Sequence, residues 1–394
     1  MQVVPATQLM NTQAQEARPE DLQKIDPGVR RLYQASIVID GHADSLGRML
    51  MEDVDLGKRQ PDGSIDIPRL REANYASQFF AVWVDPAYAP DRCIRRTLEL
   101  IDAMYRVIAA NPDRIGLALT ASDVVRLHKQ GKVAAVLTIE GGHAIENSLA
   151  VLRLYHRLGA RSMTLTHSNT NGWADSSTDA PRWHGLNDLG REVVREMNRL
   201  GMMVDVSHVS DEAFYDVLKT STKPVILSHS SCRTLSDHPR NATDDMIRAL
   251  ADKGGVIGIN YYPELVDQKF RDAMRQREKN LFEELNRQRP PGTDPDFVAR
   301  KNWEDFKGIT DGVPRPPLES IIEHIDHVVE LVGPDHVGLG SDFDGIPTNP
   351  QGMDSVLDVI KIAQGLKTRQ YKDHHIKKIL GGNFLRVFQE AAGQ

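Results

Sequence analysis

The sequence has few features of a disulfide-stabilised, membrane-spanning or nucleic-acid-binding protein. Only two cysteines, Cys93 and Cys232, occur among 394 residues, too few for a disulfide framework or a thiolate zinc cage, although a single bridge between them stays open. No apolar run approaches the roughly 20 residues that a membrane helix needs. Lys and Arg number 48 against 55 Asp and Glu, a net charge of -7, and no long basic stretch is present. We therefore expect no nucleic acid partner and no membrane span.

The two ends of the chain also lack the usual signals. The start, MQVVPATQLMNTQAQEARPE, has neither the positive leader nor the apolar centre of a secretory signal. The compartment is therefore cytoplasmic for the chain as written, or periplasmic or secreted if a signal was removed beforehand. The end, FQEAAGQ, has no apolar tail for a lipid anchor. We interpret residues 1–27 as a polar arm and residues 28–394 as one domain.

A regular alternation of two patterns runs through that domain. Runs rich in Val, Ile, Leu and Thr predict eight strands, at residues 36–44, 75–85, 132–141, 160–168, 202–210, 224–231, 254–262 and 336–345. Amphipathic stretches predict helices between them, among others at 92–110, 147–158, 188–200, 244–253 and 318–332. Eight alternating strands favour an α/β fold of the (β/α)8 TIM-barrel type over an open doubly wound sheet, and no G-x-G-x-x-G follows an early strand.

One connection is much longer than the others. About fifty residues, 263–317, follow the seventh predicted strand, and they are charged and then rich in proline. The stretch DQKFRDAMRQREKNLFEELNRQ predicts one helix within them. Because loops after the strands lie on the active-site face of such a barrel, the insertion is expected to form a lid or an oligomer contact. A solvated surface excursion is an equally good interpretation.

Side chains that bind metals collect where the predicted strands end. They are His42, Asp44, Glu140, His167, His208, His229, Asp342 and Asp344. Each one alone has an ordinary explanation, as a surface histidine, a helix cap or a solvated carboxylate. Together at one end of a barrel they would cost several kcal/mol per buried charge, and divalent cations are the usual compensation.

The types of donor narrow the chemistry further. Imidazole and carboxylate without thiolate suit Zn²⁺, Mn²⁺ or Fe²⁺ at a hydrolytic site better than a structural zinc. A carboxylate joining two ions about 3.5 Å apart would give a two-metal hydrolase, in which a shared water attacks a carbonyl. Other histidines need no such role. Those in predicted helices, among them His324, are expected on solvated faces. The loop histidines His143, His184 and His238 lie near the predicted mouth, where they could contact the site residues, but the absence of a function is the better interpretation.

Six stretches in fixed order carry a family resemblance. They are DGHAD at 40–44, IEGGHAIENSLAVLRLYHRLGARSMTLTHSNTNGWADS from 139, GLNDLGREVVREMNRLGMMVDVSHVS from 185, PVILSHSS from 224, RNATDD from 240 and VGLGSDFDG from 337. The chain resembles the renal, or membrane, dipeptidases and their bacterial relatives among the amidohydrolase-like metal-dependent hydrolases. The resemblance extends from residue 40 to NFLRVF near residue 383, almost the whole chain after the arm.

The resemblance implies a function and a role for each site residue. The chain would be a zinc-dependent dipeptidase that hydrolyses dipeptides to free amino acids by a metal-bridging hydroxide, with tolerance of a D-residue at the C-terminal position, and we expect a homodimer. His42 and Asp44 would bind one Zn²⁺, His208 and His229 the other, and Glu140 both. His167 would contact the substrate near the scissile carbonyl, Arg240 its free carboxylate, and Asp342 would handle the proton. Asp344 is the alternative to Asp342, since both share one strand parity.

Two other functions are compatible with the same residues. A binuclear amidohydrolase acting on a non-peptide amide, lactam or ester would need the same metal centre but not Arg240. A barrel that has lost catalysis and serves as a binding module would show gaps in the ligand set, and the sequence has none. Dipeptide hydrolysis therefore stands as the leading hypothesis.

Overall fold

The structure is a computed structural model that describes residues 24–285 and 293–392. Most of the predicted arm, residues 1–23, and residues 286–292 of the insertion lie outside the described residues. The strands are β1 Val38–Ala43, β2 Tyr75–Trp83, β3 Ile115–Leu117, β4 Val133–Glu140, β5 Ala160–Thr164, β6 Met203–Asp205, β7 Val225–Ser230, β8 Val256–Ile259 and β9 Val337–Leu339. All eight predicted strands are present, and β3 is a short ninth one.

The sheet closes on itself as a parallel barrel. The order is β2-β1-β9-β8-β7-β6-β5-β4, and β2 pairs in turn with β4, from Ser77 opposite Ala134 to Trp83 opposite Glu140. β3 lies beside the start of β4 and is not one of the eight barrel strands. The predicted (β/α)8 TIM-type fold is thereby confirmed. Its carboxyl ends all meet at one mouth.

Helices surround the barrel. They are α1 Pro27–Gln34, α2 Ser45–Met51, α3 Ile67–Glu72, α4 Cys93–Ala110, α5 Ala121–Lys129, α6 Leu149–Arg157, α7 Asp188–Leu200, α8 Asp211–Thr220, α9 Asp244–Asp252, α10 Pro263–Val266, α11 Gln268–Leu285, α12 Pro295–Gly308, α13 Glu319–Val332, α14 Ile360–Thr368, α15 Asp373–Lys377 and α16 Asn383–Ala392. Side-chain caps begin several of them: Thr243, for example, accepts a hydrogen bond from the amide of Met246 at the start of α9.

The last helix anchors the strand that carries the first site motif. The ring of Phe384, in α16, lies so close to Gly41 that a Cβ there would come within 2.5 Å of it, and the Ser228 carbonyl would be 2.8 Å away. Phe384 also packs edge-on against Phe79 of β2, with 5.8 Å between ring centroids. Glycine at position 41 is thus required by close packing, and this packing fixes the height of β1 in the barrel.

The insertion is largely helical. The predicted helix is α11, while α10 and α12 were not predicted. α12 contacts two loops of the barrel: Asn302 donates to Asp85 after β2 (3.1 Å), and the indole Nε1 of Trp303 donates to Glu52 after α2 (2.8 Å). The insertion therefore contacts the loops that follow the first two barrel strands, on the face expected for a lid.

Two further expectations concern the membrane and the cysteines. Within the described ranges, no helix is both long and apolar enough to cross a bilayer. Cys93 and Cys232 are both buried and unpaired, so the open question of a bridge between them is answered negatively. His324, expected on a solvated face, is instead buried, and its Nδ1 accepts a hydrogen bond from the amide of Cys232 (2.9 Å). That expectation was wrong because α13 packs this side of its surface against the loop after β7.

Candidate metal centre and active site

The carboxyl ends of the barrel strands bring one group of imidazoles and carboxylates together. Three of its members lie in β1, β4 and β7, and the other three lie in the residues just after β1, β6 and β9. We call the group the strand-end cluster: His42, Asp44, Glu140, His208, His229 and Asp342. Parallel strands end at one edge, which is why residues so distant in sequence meet here.

Glu140 lies at the centre of the cluster. Its Oε2 is 3.4 Å from Nε2 of His42, while its Oε1 is 3.3 Å from Nε2 of His208 and 3.4 Å from Nε2 of His229. The side chain is 3% exposed. The two oxygens of one carboxylate therefore face different imidazoles, an arrangement suited to a ligand shared by two ions.

Two aspartates extend the cluster on the side of β1. Asp44 Oδ2 is 3.3 Å from Nε2 of His42, and Asp342 forms a possible three-ligand group with both of them. Asn260, after β8, donates to Oδ2 of Asp342 (2.9 Å). A Cβ at Gly345 would lie 2.1 Å from Asp44 Oδ2 and 2.7 Å from Asp342 Oδ1. Glycine at this position leaves room for both carboxylates.

Burial and mutual charge shift the pKa values of these groups. Although burial favours the neutral acid, the surrounding imidazoles, His42 foremost, hold the pKa of Glu140 well below its ordinary value. Burial and the charge of Glu140 raise the pKa of Asp44 to about 8. Burial opposes charge on His42, yet Glu140 and Asp44 raise its pKa well above the ordinary value. The cluster thus holds more negative charge than its own side chains readily neutralise, which a bound cation would correct.

The imidazole nitrogens of the cluster also fit a cation. Nε2 of His42 is buried and has no hydrogen-bond partner among the residues that the structure describes. The Nε2 atoms of His208 and His229 face each other at 2.9 Å. Imidazole nitrogens directed into one space beside carboxylate oxygens form a ligand set that Zn²⁺ and similar ions accept once the nitrogens are deprotonated. The strand-end cluster is therefore a candidate metal centre.

Compact three-ligand groups divide the histidines in a different way from the resemblance. One group joins His42, Glu140 and His229, and another joins Glu140, His167 and His208. The rings of His42 and His229 stack with 3.8 Å between centroids. The facing Nε2 atoms of His208 and His229 are also compatible with the pair expected from the resemblance. The division of ligands between two ions stays a prediction.

His167 lies beside the cluster, after β5. Its ring centroid is 4.5 Å from that of His208 and 5.2 Å from that of Trp83, and its Nδ1 is 3.1 Å from the Ser168 hydroxyl. Burial lowers the pKa of His167 to about 4, so the imidazole is neutral at pH 7. It can therefore donate one N–H to a group in the site without adding charge.

Arg240 lies beside the cluster, next to His229, with its guanidinium buried. Its Nη2 donates to the carbonyl oxygen of His229 (3.1 Å) and its Nη1 to the Ser230 hydroxyl (3.3 Å), while its backbone amide donates to Nδ1 of His238 (3.0 Å). Burial lowers the pKa of Arg240 to about 10, which leaves it charged at pH 7. In the described chain it forms no ion pair, so its charge remains available to an anionic ligand.

The structure separates the two aspartates that the sequence could not. Asp342 lies in the cluster. Asp344 accepts from the Ser45 hydroxyl (2.6 Å) and the Ser64 amide (2.7 Å), and its Oδ1 is 3.7 Å from Nη1 of Arg48. Both oxygens of Asp344 therefore fasten neighbouring loops to the strand end, and this geometry favours Asp342 for work at the site.

Sequence reasoning missed Asn260. It lies near the end of the seventh predicted strand, 254–262, and directly after β8, so the same search for polar residues near strand ends would have found it. Of the three loop histidines, His184 is exposed, whereas His143 is buried with Nε2 2.7 Å from the Val84 carbonyl oxygen. His238 is buried and its Nδ1 accepts from the backbone amide of Arg240, so it contacts a site residue, the alternative that the sequence had left open.

Comparisons with known sequences point to one family. The model of the membrane dipeptidases, peptidase family M19, matches residues 28–393. Dipeptidase tcpJ of Claviceps purpurea is 34% identical over 337 residues, which cover 83% of this chain and 69% of that protein. Dipeptidase verJ of Clonostachys rogersoniana is 34% identical over 336 residues, covering 82% and 74%.

Solved structures agree. The probable dipeptidase PvdM of Pseudomonas aeruginosa superposes with a TM-score of 0.79 at 24% identity, over 95% of this chain and 99% of that one, and this likeness shows the fold. A metallopeptidase of Rhodobacter sphaeroides has a TM-score of 0.73 at 25% identity, over 90% and 99%. Barrel, strand-end cluster and family match together identify the chain as a metallo-dipeptidase of the membrane dipeptidase family, peptidase family M19.

Proposed function

We propose that the chain is a zinc dipeptidase with two ions at the strand-end cluster. The observation that carries this proposal is the position of Glu140, whose two oxygens face His42 on one side and His208 with His229 on the other. His42 and Asp44 would hold one ion, His208 and His229 the second, and Glu140 both. When bound, such a pair of ions lowers the pKa of a water between them and polarises the substrate carbonyl.

Asp342 is the proposed proton carrier. It lies against His42 and Asp44, and the side-chain NH₂ of Asn260 donates a hydrogen bond to its Oδ2 (2.9 Å). From this place the carboxylate would accept a proton from the attacking water and deliver it to the nitrogen of the leaving amino acid. The bond from Asn260 orients the carboxylate without taking its charge.

His167 and Arg240 would bind the substrate. The neutral His167 ring would donate its N–H to the carbonyl oxygen as negative charge develops there. Arg240 has a planar fork of donors, and the contacts to His229 and Ser230 leave other N–H groups for a terminal carboxylate. A peptide held at its carboxylate would be positioned with its only amide bond near Glu140.

Tolerance of a D-residue at the C-terminal position is part of the proposal. The Rhodobacter sphaeroides relative was crystallised with a phosphinate mimic of the dipeptide L-Ala-D-Ala. Support for this chain comes from that likeness, and the test is a panel of matched L,L and L,D dipeptides.

The metal part of the proposal is tested by elemental analysis. Protein never exposed to a chelator should contain two zinc ions per chain. Less than one ion, with activity unchanged by added zinc, would contradict the metal part.

Arg240 tests the choice between a dipeptidase and a broader amidohydrolase. Arg240→Ala should lower kcat/KM for free dipeptides by roughly 2 to 5 kcal/mol of transition-state stabilisation, because the substrate carboxylate loses its buried partner. The wild type should hydrolyse the C-terminal amide of the same dipeptide poorly. A small activated ester without a carboxylate should be hydrolysed equally by both proteins. Equal wild-type rates on the dipeptide and its amide would favour a non-peptide amide, lactam or ester as substrate.

A further inference from the structure

A chain of hydrogen bonds runs from His229 into the barrel wall. Nδ1 of His229 is 2.7 Å from the hydroxyl of Ser228, and this hydroxyl is 2.5 Å from Oδ2 of Asp205, the last residue of β6. Asp205, Ser228 and His229 are each at most 2% exposed. We call these three residues the relay. Bulk water does not reach these groups, so each buried donor needs an acceptor within the relay and the direction of each hydrogen bond matters.

Asp205 is surrounded by donors. Its Oδ1 accepts from the backbone amides of Ser207 (3.0 Å) and Ser228 (3.1 Å), and its Oδ2 accepts from the hydroxyls of Thr164 (2.6 Å) and Ser228 (2.5 Å). An ionised carboxylate can only accept, so the single hydroxyl proton of Ser228 lies on the bond to Asp205. The Ser228 oxygen can then only accept from its remaining neighbours, which are Nδ1 of His229 at 2.7 Å and, at a longer 3.4 Å, the hydroxyl of Ser207.

We infer that Asp205 and Ser228 are positioning residues that hold His229 as the Nδ1–H tautomer. In this tautomer Nε2 of His229 carries no proton of its own. It is the atom that lies 3.4 Å from Glu140 Oε1 and 2.9 Å from Nε2 of His208. The tautomer follows from the hydrogen bonds alone. Its consequence for metal binding rests on the proposed role of His229 as a ligand.

His208 provides an internal comparison. Its Nδ1 is buried and has no hydrogen-bond partner in the described part of the chain. Only the contacts of its Nε2, with Nε2 of His229 (2.9 Å) and Oε1 of Glu140 (3.3 Å), therefore act on its tautomer. The relay distinguishes one of two histidines that otherwise face the same carboxylate oxygen, Glu140 Oε1.

Asp205→Asn should reverse the direction of the hydrogen bonds in the relay, because asparagine has the same shape as aspartate but carries an NH₂ donor. The asparagine oxygen can still accept hydrogen bonds from the backbone amides of Ser207 and Ser228, and the side-chain NH₂ then faces the Ser228 hydroxyl. That NH₂ donates to the Ser228 hydroxyl, which is left to donate its own proton to Nδ1 of His229. The histidine is driven to the Nε2–H tautomer, whose proton occupies the ligand position. Ser228→Ala only removes the preference, so its effect should be smaller.

The experiment reads the tautomer and the metal separately. Nitrogen-15 NMR of the metal-free wild type should show His229 protonated at Nδ1, the signal being assigned by its loss in His229→Gln, and Asp205→Asn should move the proton to Nε2. Competition with a chromophoric chelator should give a zinc Kd raised about 10-fold in Ser228→Ala and towards 100-fold in Asp205→Asn. Ser77→Ala is the matched control, because its buried hydroxyl donates only to the Ala134 carbonyl (2.9 Å), and its Kd should not change.

The outcomes separate this inference from the proposed function. An Nε2–H signal for His229 in the wild type, or an unchanged tautomer and Kd in Asp205→Asn, would overturn the relay. A wild type that binds no zinc would overturn the metal part of the proposed function instead. The tautomer of His229 and its change in Asp205→Asn would then still decide whether the relay exists.

Discussion

Two clusters built from the same residue types lie in the described parts of this molecule, and they solve the same electrostatic problem differently. The strand-end cluster combines histidines with Asp44, Glu140 and Asp342. A second group, which we call the insertion cluster, joins His238, after β7, to Glu264 and Glu278 of the insertion helices α10 and α11. Each could hold a metal ion by the distances between its ligand atoms alone.

The difference lies in what fills each cluster. In the insertion cluster the guanidinium of Arg271 bonds both Glu264 and Glu278, and burial together with the charge of Glu278 raises the pKa of Glu264 to about 7. A resident cation and a proton thus compensate the carboxylates. In the strand-end cluster no lysine or arginine forms an ion pair with the carboxylates, as far as the described residues extend. There the charge is offset by protons, on groups such as His42 and Asp44, which a bound metal ion can displace, whereas an arginine fixed among the carboxylates leaves no such place.

The largest effect is expected where one carboxylate serves the whole strand-end cluster. Glu140→Gln should lower kcat/KM by roughly 10⁴-fold, because metal ions contribute several kcal/mol of transition-state stabilisation and both would lose a ligand. Metal content by elemental analysis should fall at the same time. Glu278→Gln is the matched control in the insertion cluster. Normal metal content in Glu140→Gln would contradict the assignment of the metal ions to the strand-end cluster.

A change in the insertion cluster should alter the stability of the protein and leave its metal content unchanged. Arg271→Met leaves Glu264 and Glu278 buried without their cation, and we expect the free energy of unfolding to fall by roughly 3 to 5 kcal/mol. Urea denaturation of the metal-loaded protein measures this. Metal content should stay that of the wild type. If Arg271→Met bound an additional zinc ion, the two clusters would differ only in the cation that they hold, a guanidinium in one and a metal ion in the other.

A smaller effect separates the two aspartates after β9. Asp342→Asn should keep the bound metal but lower kcat by roughly 10²-fold, the loss of a general acid and base. Asp344→Asn is the control, because its oxygens bond Ser45 and Ser64, and its kcat should change little. Full turnover in Asp342→Asn with none in Asp344→Asn would move the proton role by two residues.

The smallest effect concerns protons. In the metal-free protein the pKa of His42 is raised well above its ordinary value and that of Asp44 to about 8, so both carry protons at pH 7 that a cation must displace. Zinc binding should therefore release protons, and affinity should rise as the pH increases through about 8. Calorimetry in buffers of different ionisation enthalpy measures the release. Binding that takes up protons would contradict the pKa shifts.

Much of the fold could be predicted because its signals are local. Strand runs and helical periods are properties of neighbouring residues, so the places of all eight barrel strands and the bounds of α7, Asp188–Leu200, were predicted. The predicted strands run past the observed ends, most of all at β6 and β9. The three-residue β3 and the helix α12 were not, because the first is too short for a period and the second lies in a proline-rich stretch. Asn260 shows that the strand-end argument could have been applied once more.

The sequence by itself determined that metal-binding side chains end the strands of a barrel, since alternation and strand count need no coordinates. Only the tertiary structure decided which of them meet. Asp342 and Asp344 share one parity, but that argument assumes an extended backbone, and their φ angles of +61° and +66° remove the alternation. One carboxylate therefore joins the strand-end cluster and the other fastens loops. The arginine inside the insertion cluster was equally invisible, because a contact between α10 and α11 has no period in the sequence.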